Sequence, residues 1–234
     1  MKPFSIKSIF CLLLISTAAK AQENPFAGEW INERYVKSIR TYKSPFKAQK
    51  VQEMSSVSIP KSSMESISIG WNFHEGEGAM LKKVSTKYQL IRIESVGEPF
   101  TFAYFRSVNK LKVENEYFVK LKVANRENFL NELLFAGKYY LGKKPINFAM
   151  NGKISGLGSM LYYRPTYDFL GGGIQKDVIS FSKTADFKEF TNYLFAFKGK
   201  TLTLYILNCT QMEPETKECF EAKRGKIVYQ LVKE

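Results

Sequence analysis

The stretch that decides the fold reads Asn24-Pro25-Phe26-Ala27-Gly28-Glu29-Trp30-Ile31-Asn32-Glu33-Arg34-Tyr35 and carries a Gly-x-Trp motif. The flat indole of a tryptophan on a first strand covers much apolar surface, and its N–H can reach a nearby carbonyl. The preceding glycine lets another part of the chain approach closely. Gly28 and Trp30 are therefore predicted to close one end of a sheet that is rolled into a barrel.

Residues 1–21 have the pattern of a secretory signal peptide. A positive start precedes an apolar run at residues 9–15, and Ala19-Lys20-Ala21 fits a small-x-small cleavage site before Gln22. A lipoprotein anchor is the alternative, but Cys11 lies inside the apolar run and not at the cleavage point. The run is too short to span a membrane. We therefore expect a secreted or periplasmic product without a membrane span.

The chain is strongly basic. Its formal net charge is +13, and it falls to +10 when Lys2, Lys7 and Lys20 leave with a leader that contains no acid. This balance favours contact with anionic envelope surfaces or acidic ligands. Nucleic acid is not expected as a partner, because the lysines are scattered singly through strands. The alternative is that they form a solvated surface that resists aggregation.

Two cysteines, Cys209 and Cys219, remain after processing and flank a polar stretch. In an oxidising compartment they are predicted to form a disulfide at the base of a hairpin loop. Chain-entropy arithmetic gives such a ring about 3 kcal/mol of stabilisation. A metal site is not expected, because no third or fourth Cys or His residue lies nearby in the sequence to complete the set of ligands.

Strand-like segments joined by turns fill most of the chain. Residues 67–73 alternate large apolar side chains with small ones, which is typical of a strand with one buried face. Asn151-Gly152 and Lys198-Gly199 are typical of hairpin turns. Residues 74–78 are predicted to form a turn. Residues 47–63 are polar, and Pro60 argues against a central strand there.

Three segments show apolar residues at the three- and four-residue spacing of helices, namely residues 35–42, 125–135 and 186–194. For residues 35–42, a continued irregular strand is the alternative. Together with about ten strands, they predict an all-β fold with two or three short helices. The expected architecture is an antiparallel up-and-down β-barrel of about 8–10 strands. A sandwich is the alternative, but closure removes exposed strand edges. Residues 22–234 are predicted to form one barrel domain, and no internal repeat is evident.

Gly28-Glu29-Trp30 resembles the opening motif of lipocalins and their calycin relatives. Residues 197–204 resemble a turn and strand of bacterial lipocalin-like domains. The resemblance implies a cup-shaped barrel that holds a small apolar ligand, with a basic residue packed over the motif tryptophan. Arg224, placed before the last predicted strand, and Lys233, placed after it, are the candidates for that residue. A second likeness, of Lys153-Ile154-Ser155-Gly156 to a Gly-rich strand of small bacterial envelope domains, favours an envelope role.

Candidate ligand contacts come from two places. Four aromatic residues on strands could line a lumen, although burial in a packed core explains them equally well. Aromatic residues interleaved with Arg164 and Asp168 could form a stacking and hydrogen-bonding mouth, unless these two residues simply pair. The predicted ligand-contacting residues are Trp71, Phe73, Phe102, Tyr104, Tyr163, Arg164 and Tyr167.

The only histidine, His74, stands beside Glu75 and Glu77 and is predicted to lie at a turn or rim. One histidine and two turn carboxylates are too few and too mobile for a metal site. We therefore predict no catalytic residue, metal or cofactor.

The leading prediction is an exported protein that holds a small hydrophobic ligand in a barrel lumen. The alternative is a non-enzymatic module with a filled barrel, whose basic surface docks an envelope protein or an anionic polymer. A hydrolase that uses scattered carboxylates is a third hypothesis, for which the sequence suggests no substrate.

Overall fold

The structure is a computed structural model that describes residues 24–49, 54–62, 65–93, 95–123, 125–169, 173–216 and 218–234. The predicted signal peptide and its cleavage site lie outside the described residues. Within these ranges, no helix is both long and apolar enough to cross a membrane.

The first eight strands form a closed barrel. Each strand pairs antiparallel with the next, and β8 returns to pair with β1. The strands are β1 (Gly28–Asn32), β2 (Met54–Ile59), β3 (Ile67–Trp71), β4 (Glu75–Val84), β5 (Lys87–Arg92), β6 (Phe100–Phe105), β7 (Lys110–Val113) and β8 (Glu116–Lys120).

The next eight strands form a second antiparallel sheet in the order β11-β10-β9-β16-β15-β14-β13-β12. The two outer strands of this order meet at an isolated bridge between Lys153 and Tyr162, which brings the sheet close to closure. The strands are β9 (Gly137–Leu141), β10 (Lys144–Phe148), β11 (Ile154–Ser155), β12 (Tyr162–Pro165), β13 (Val178–Ser182), β14 (Phe190–Lys198), β15 (Thr201–Met212) and β16 (Cys219–Lys233).

The prediction of an all-β, antiparallel, up-and-down barrel is confirmed. The described strands outnumber those that the sequence patterns revealed, and they divide between two sheets of eight. The assignment of residues 22–234 to one domain stays a prediction.

In both sheets the same arrangement joins the first strand in chain order to the last, a structural repeat that the sequence patterns did not indicate. On β1 and β8, Trp30 lies opposite Lys120, whose Nζ is 5.4 Å from the indole centroid. On β9 and β16, Tyr139 lies opposite Lys233, whose Nζ is 5.4 Å from the phenol centroid. In each sheet, a lysine on the last strand thus covers a buried aromatic ring on the first.

A glycine two residues before each ring makes this contact possible. Gly28 and Gly137 have φ angles of +137° and +139°, which residues with a Cβ rarely adopt. A Cβ on Gly28 would lie 2.6 Å from Cε of Lys120, and one on Gly137 would lie 2.8 Å from Cε of Lys233. Each glycine therefore leaves space for the lysine chain that reaches the ring.

Trp30 is fully buried in the barrel, and its Nε1 donates to the carbonyl of Phe26 at 2.8 Å. Arg224 was expected as a candidate basic partner of this ring. It lies within β16 instead and stacks on Tyr205, with 5.0 Å from its guanidinium carbon to the ring centroid. The basic residue over Trp30 is Lys120, because the first barrel closes at β8 and not at the last strand of the chain.

The helix predicted over residues 35–42 is present as α1 (Glu33–Tyr42). The Asn32 side chain caps its start by accepting hydrogen bonds from the backbone N–H groups of Arg34 and Tyr35. Its apolar face is buried, with Tyr35, Val36 and Ile39 inside. A short helix, α2 (Pro45–Ala48), follows, and Ser44 caps it.

Residues 125–135 form irregular short turns instead of one α-helix. A 3₁₀ turn covers Arg126–Asn128 and a π-helical turn covers Asn131–Phe135. The apolar residues of this segment are nevertheless buried as expected, since Phe129, Leu130 and Leu134 lie in the core. These turns connect the first sheet to the second.

Three local predictions are wrong. The helix predicted over residues 186–194 is replaced in part by β14, whose residues pair with both β13 and β15. The polar stretch 47–63 contains β2, a strand of the closed barrel that ends immediately before Pro60. The turn predicted over residues 74–78 is shorter, because β4 already begins at Glu75. In each case pairing within the tertiary structure overrides the local pattern.

Strand β2 carries buried serines, and hydrogen bonds within the barrel explain how so polar a segment can lie in a core. Ser55 and Ser56 are fully buried. The Ser55 hydroxyl donates to the carbonyl of Gly70 at 2.9 Å and accepts from the N–H of Phe73 at 3.1 Å. Burying a hydroxyl costs free energy when it has no hydrogen-bond partner, and these two hydrogen bonds offset that cost for Ser55.

The predicted disulfide between Cys209 and Cys219 is confirmed, and it joins β15 to β16 with 5.7 Å between the Cα atoms. It cross-links the outer part of the longest hairpin, beyond the residues that enter the main core. A disulfide of this kind is compatible with an extracellular location.

We expect Gly28→Ala to lower the free energy of unfolding by about 2 kcal/mol, since it forces a non-glycine residue into a strained φ and displaces Lys120 from Trp30. Urea denaturation measures this loss, and tryptophan emission reports the changed surroundings of Trp30. Gly173→Ala is the matched control, because the new Cβ would meet no atom within 4 Å. Equal stability of the two variants would contradict the role given to Gly28.

Candidate functional site

The four residues predicted to line a lumen lie in two separate places. Phe102 and Tyr104 are in the first barrel, where both rings pack edge-on against Phe26 at 5.2 and 5.3 Å. Trp71 is half-buried near the barrel core. Phe73 leaves the barrel at a turn and stacks on Phe129 at 5.0 Å, in the core that the second sheet shares. The rings therefore fill space instead of lining one lumen.

The residues predicted to form a mouth are also divided. Tyr163 is buried in the second sheet, where its hydroxyl donates to the carbonyl of Ala149 at 2.8 Å. Arg164, its neighbour on the strand, is exposed and stacks on Phe187 at 4.4 Å. Tyr167 packs edge-on against Phe73 at 5.9 Å. The structure thus brings Phe73 and Tyr167 together and places Arg164 elsewhere.

His74 lies at the turn between β3 and β4, and its Nδ1 is 2.8 Å from Oδ2 of Asp168. Asp168 therefore has His74 as a partner, where the sequence had suggested Arg164. This hydrogen bond and the negative charge of Asp168 raise the pKa of His74. The pair connects the first barrel to the segment that precedes β13.

Two cavities beside the segment between α1 and α2 form a more promising site. Lys43 lines one and Ser44 lines the other, and we call the two together the basic end. The Asp177 cavity has a volume of about 400 Å3 and is lined by Ser44, Phe46, Lys47, Gln175, Lys176, Asp177, Leu194, Phe195, Lys223 and Arg224. The Lys233 cavity has a volume of about 190 Å3 and is lined by Arg40, Lys43, Leu133, Leu134, Phe197, Gly199, Lys200 and Lys233.

A single carboxylate fixes the segment between these cavities. Asp177 accepts a hydrogen bond from the Ser44 hydroxyl at 2.6 Å and another from the N–H of Phe46 at 3.0 Å. Ser44 also caps α2 by accepting from the N–H of Lys47 at 3.2 Å. Asp177 thereby holds the start of α2 against the second sheet and sets the position of its lysine.

Burial raises the pKa of Asp177, against the opposing effects of its two hydrogen bonds and of the charges on Arg224 and Lys47. The neighbouring cations therefore do not compensate its desolvation in full. Asp177 acts mainly as a structural anchor within a positively charged cavity.

Eight cations line the basic end, and within the described ranges none of them lies within 4 Å of a carboxylate. They are Arg40, Lys43, Lys47, Lys176, Lys200, Lys223, Arg224 and Lys233. Neutral groups hold some of them in place. Lys43 Nζ donates to the carbonyl of Gly199 at 2.7 Å, and Lys233 Nζ to that of Leu134 at 3.5 Å.

Sequence reasoning did not find this site, because its cations come from α1, α2, the segment before β13, the β14–β15 turn and β16. One signal was available in the sequence. Arg40, Lys43 and Lys47 recur at three- and four-residue spacing, which is typical of one side of a helical segment.

A third cavity, of about 700 Å3, lies at the hairpin that joins β13 to β14. Its lining mixes both signs of charge, with Lys183 and Lys188 beside Asp186 and Glu189. Asp186 already accepts from the Thr184 hydroxyl at 2.6 Å and pairs with Lys188 at 3.6 Å. Because its lining carries both signs of charge and Asp186 is already paired, this cavity is a weaker candidate than the basic end.

The raised pKa of His74 predicts a pH-dependent contribution to stability. The pair with Asp168 stabilises the folded state while His74 is charged, below its unfolded-state pKa of about 6.5, and this effect disappears as pH rises through the higher folded-state pKa. NMR titration of the chain's one histidine gives that pKa directly. We expect it above about 6.5 and lower in Asp168→Asn. The stability difference between the wild type and His74→Gln should be present at about pH 5.5 and absent at about pH 9. A pKa that Asp168→Asn leaves unchanged would contradict the pairing.

Comparison with protein-family models, with curated proteins and with solved structures finds no match. The function is therefore argued from the charges, cavities and contacts of the described residues.

Proposed function

We propose that this protein is an exported, lipocalin-like binding module whose basic end docks an anionic polymer or an acidic surface of an envelope partner. The observation that carries the proposal is the set of eight cations around these two cavities, none of which lies within 4 Å of a carboxylate among the described residues. Export is supported by the leader pattern of residues 1–21 and by the disulfide. The lipocalin likeness is supported by Gly28, Trp30 and the basic residue over the ring.

The arrangement of charge favours docking over simple solvation. A surface that serves only solubility mixes both signs of charge. Gathering cations of one sign costs stability through mutual repulsion, and a ligand of opposite charge relieves this repulsion. Such a patch also steers an anionic partner during its diffusional approach. Elsewhere in the chain, acidic residues form ion pairs, such as Glu77 with Arg92 at 2.9 Å. Within the described part of the chain, the excess of unpaired cations is therefore a local feature of the basic end.

The apolar part of the Asp177 cavity limits what fits there. Phe46, Leu194 and Phe195 offer carbon surface beside the cations. A ligand with alternating charged and apolar groups, such as a polymer of acidic sugars, can use both kinds of contact.

An apolar ligand in a barrel lumen remains the second candidate function. It draws less support, since the rings of Phe26, Trp30, Phe102 and Tyr104 pack against one another inside the first barrel. The second sheet is filled in the same way by Phe135, Tyr139, Phe148 and Tyr163.

Two triple variants with the same change in net charge test the docking proposal. Lys47→Gln, Lys176→Gln and Lys223→Gln together remove three cations from the Asp177 cavity. Lys82→Gln, Lys83→Gln and Lys87→Gln remove three exposed cations from the β4–β5 hairpin of the first barrel. Binding to heparin, used as a general polyanion, is measured against salt concentration.

We expect the first variant to bind heparin about tenfold more weakly at physiological salt, from about 0.5 kcal/mol per exposed contact. The second variant should bind like the wild type, and both should retain the wild-type unfolding midpoint. Equal weakening in the two variants would mean that only net charge matters, and the proposal would fall.

A further inference from the structure

The Lys233 cavity differs from the rest of the basic end in having only cations among its ionisable lining residues. Arg40, Lys43, Lys200 and Lys233 surround a space of about 190 Å3, and Leu133, Leu134 and Phe197 supply the apolar part. This volume is below the usual range for a whole small-molecule ligand. The cavity therefore suits one charged group and the first atoms of its substituent.

Two of the ammonium groups are held in position by neutral partners. Lys43 Nζ donates to Gly199 O at 2.7 Å and lies 5.9 Å from the centre of the Phe197 ring. Lys233 Nζ lies 3.5 Å from Leu134 O and 5.4 Å from the centre of the Tyr139 ring. An ammonium has three donors, so each retains donors for a ligand after these contacts. Their charges remain available because no carboxylate in the described part of the chain lies within 4 Å of either ammonium group.

The electrostatic state of the cavity also points to an anion. Burial lowers the pKa of Lys233, and the positive charge of Lys43 lowers it further. Both effects disfavour the charged form of the Lys233 ammonium. An anion placed between these lysines would reverse the second effect, and the binding and the full charge of Lys233 would support each other.

We propose that the Lys233 cavity binds a phosphate monoester group, with the apolar substituent of the ester lying on Leu133, Leu134 and Phe197. This inference rests on the proposed function and deepens it, because it names the anionic group that the docked partner presents. A phosphate monoester carries nearly two charges and three terminal acceptor oxygens. Four separate cationic side chains match such a group better than they match a carboxylate, which has one charge and two oxygens.

The same chemistry occurs in a free phosphate ester and in the headgroup of a phosphatidic acid. The cavity would hold the phosphate group of either molecule. The two differ because only phosphatidic acid presents the group at a membrane surface. Phenyl phosphate serves as the free probe, and vesicles of phosphatidylcholine with phosphatidic acid serve as the membrane probe.

Two neighbouring lysines on the β14–β15 turn give a matched pair of variants. Lys200 lines the cavity, whereas Lys198, two residues away, does not. Both are exposed, so neither Lys200→Gln nor Lys198→Gln should disturb folding. Arg40→Gln removes a second lining cation from another element and gives an independent check.

Isothermal titration of the full mature chain with phenyl phosphate measures the affinity. We expect Lys200→Gln and Arg40→Gln each to weaken binding about tenfold, as the loss of one charge-assisted hydrogen bond implies. Lys198→Gln should bind like the wild type. Benzyl alcohol, which lacks the charge, should show no binding. Absence of phenyl phosphate binding, or equal affinity in all three variants, would overturn the inference.

Sedimentation with vesicles then identifies the source. Binding to vesicles with phosphatidic acid but not to phosphatidylcholine alone, with loss in Lys200→Gln, would support a lipid headgroup. Phenyl phosphate binding without vesicle binding would support a soluble ester. Heparin binding separates this inference from the docking proposal: retained dependence on Lys47, Lys176 and Lys223 without phenyl phosphate binding would overturn the phosphate site alone. The converse result would overturn polymer docking and leave the phosphate site supported.

Discussion

A lysine that covers the aromatic ring of the first strand is the contact on which the rest of this molecule depends. It recurs at Lys120 over Trp30 and at Lys233 over Tyr139, with the same 5.4 Å separation. Both rings are fully buried, and the long lysine stem covers apolar surface while its charge stays at the edge. Each contact also joins the last strand of a sheet in chain order to its first strand, and in the first sheet this pairing closes the barrel. The glycine before each ring is needed because a side chain there would occupy the lysine's path.

The pairing of β8 with β1 completes the first barrel, so the later strands of the chain form a second sheet. After Lys120, the chain leaves the first barrel through turns that bury Phe129 and Leu134, and it reaches β9 at Gly137. The helix α1 leaves the first barrel in the same direction, and its buried Tyr35 and Ile39 join the core of the second sheet. The shared core explains why the charged face of α1 lies beside the end of β16.

The basic end follows from this geometry. Lys233 has two roles, since it covers the ring of Tyr139 and also lines the cavity beside Lys43. Asp177 positions the neighbouring segment through Ser44 and Phe46, so that a carboxylate organises a surface of opposite charge. A binding surface built on strand ends and capped helices is held more rigidly than one built on a long loop. Among the cations, Lys43 and Lys233 are held in position by the carbonyl groups of Gly199 and Leu134.

The sequence by itself determined the all-β class, the disulfide between Cys209 and Cys219 and the burial of Trp30, and it left a helix over residues 35–42 and an irregular strand as alternatives. These features depend on local periodicity, capping and side-chain size, which are readable along the chain. Only the tertiary structure decided the division into two sheets, the partner of Trp30 and the basic end. Lys120 pairs with Trp30 across a closure that spans ninety residues of chain, and the cations of the basic end come from five elements. Such meetings depend on strand order and register, which the spacing of residues along the chain does not encode.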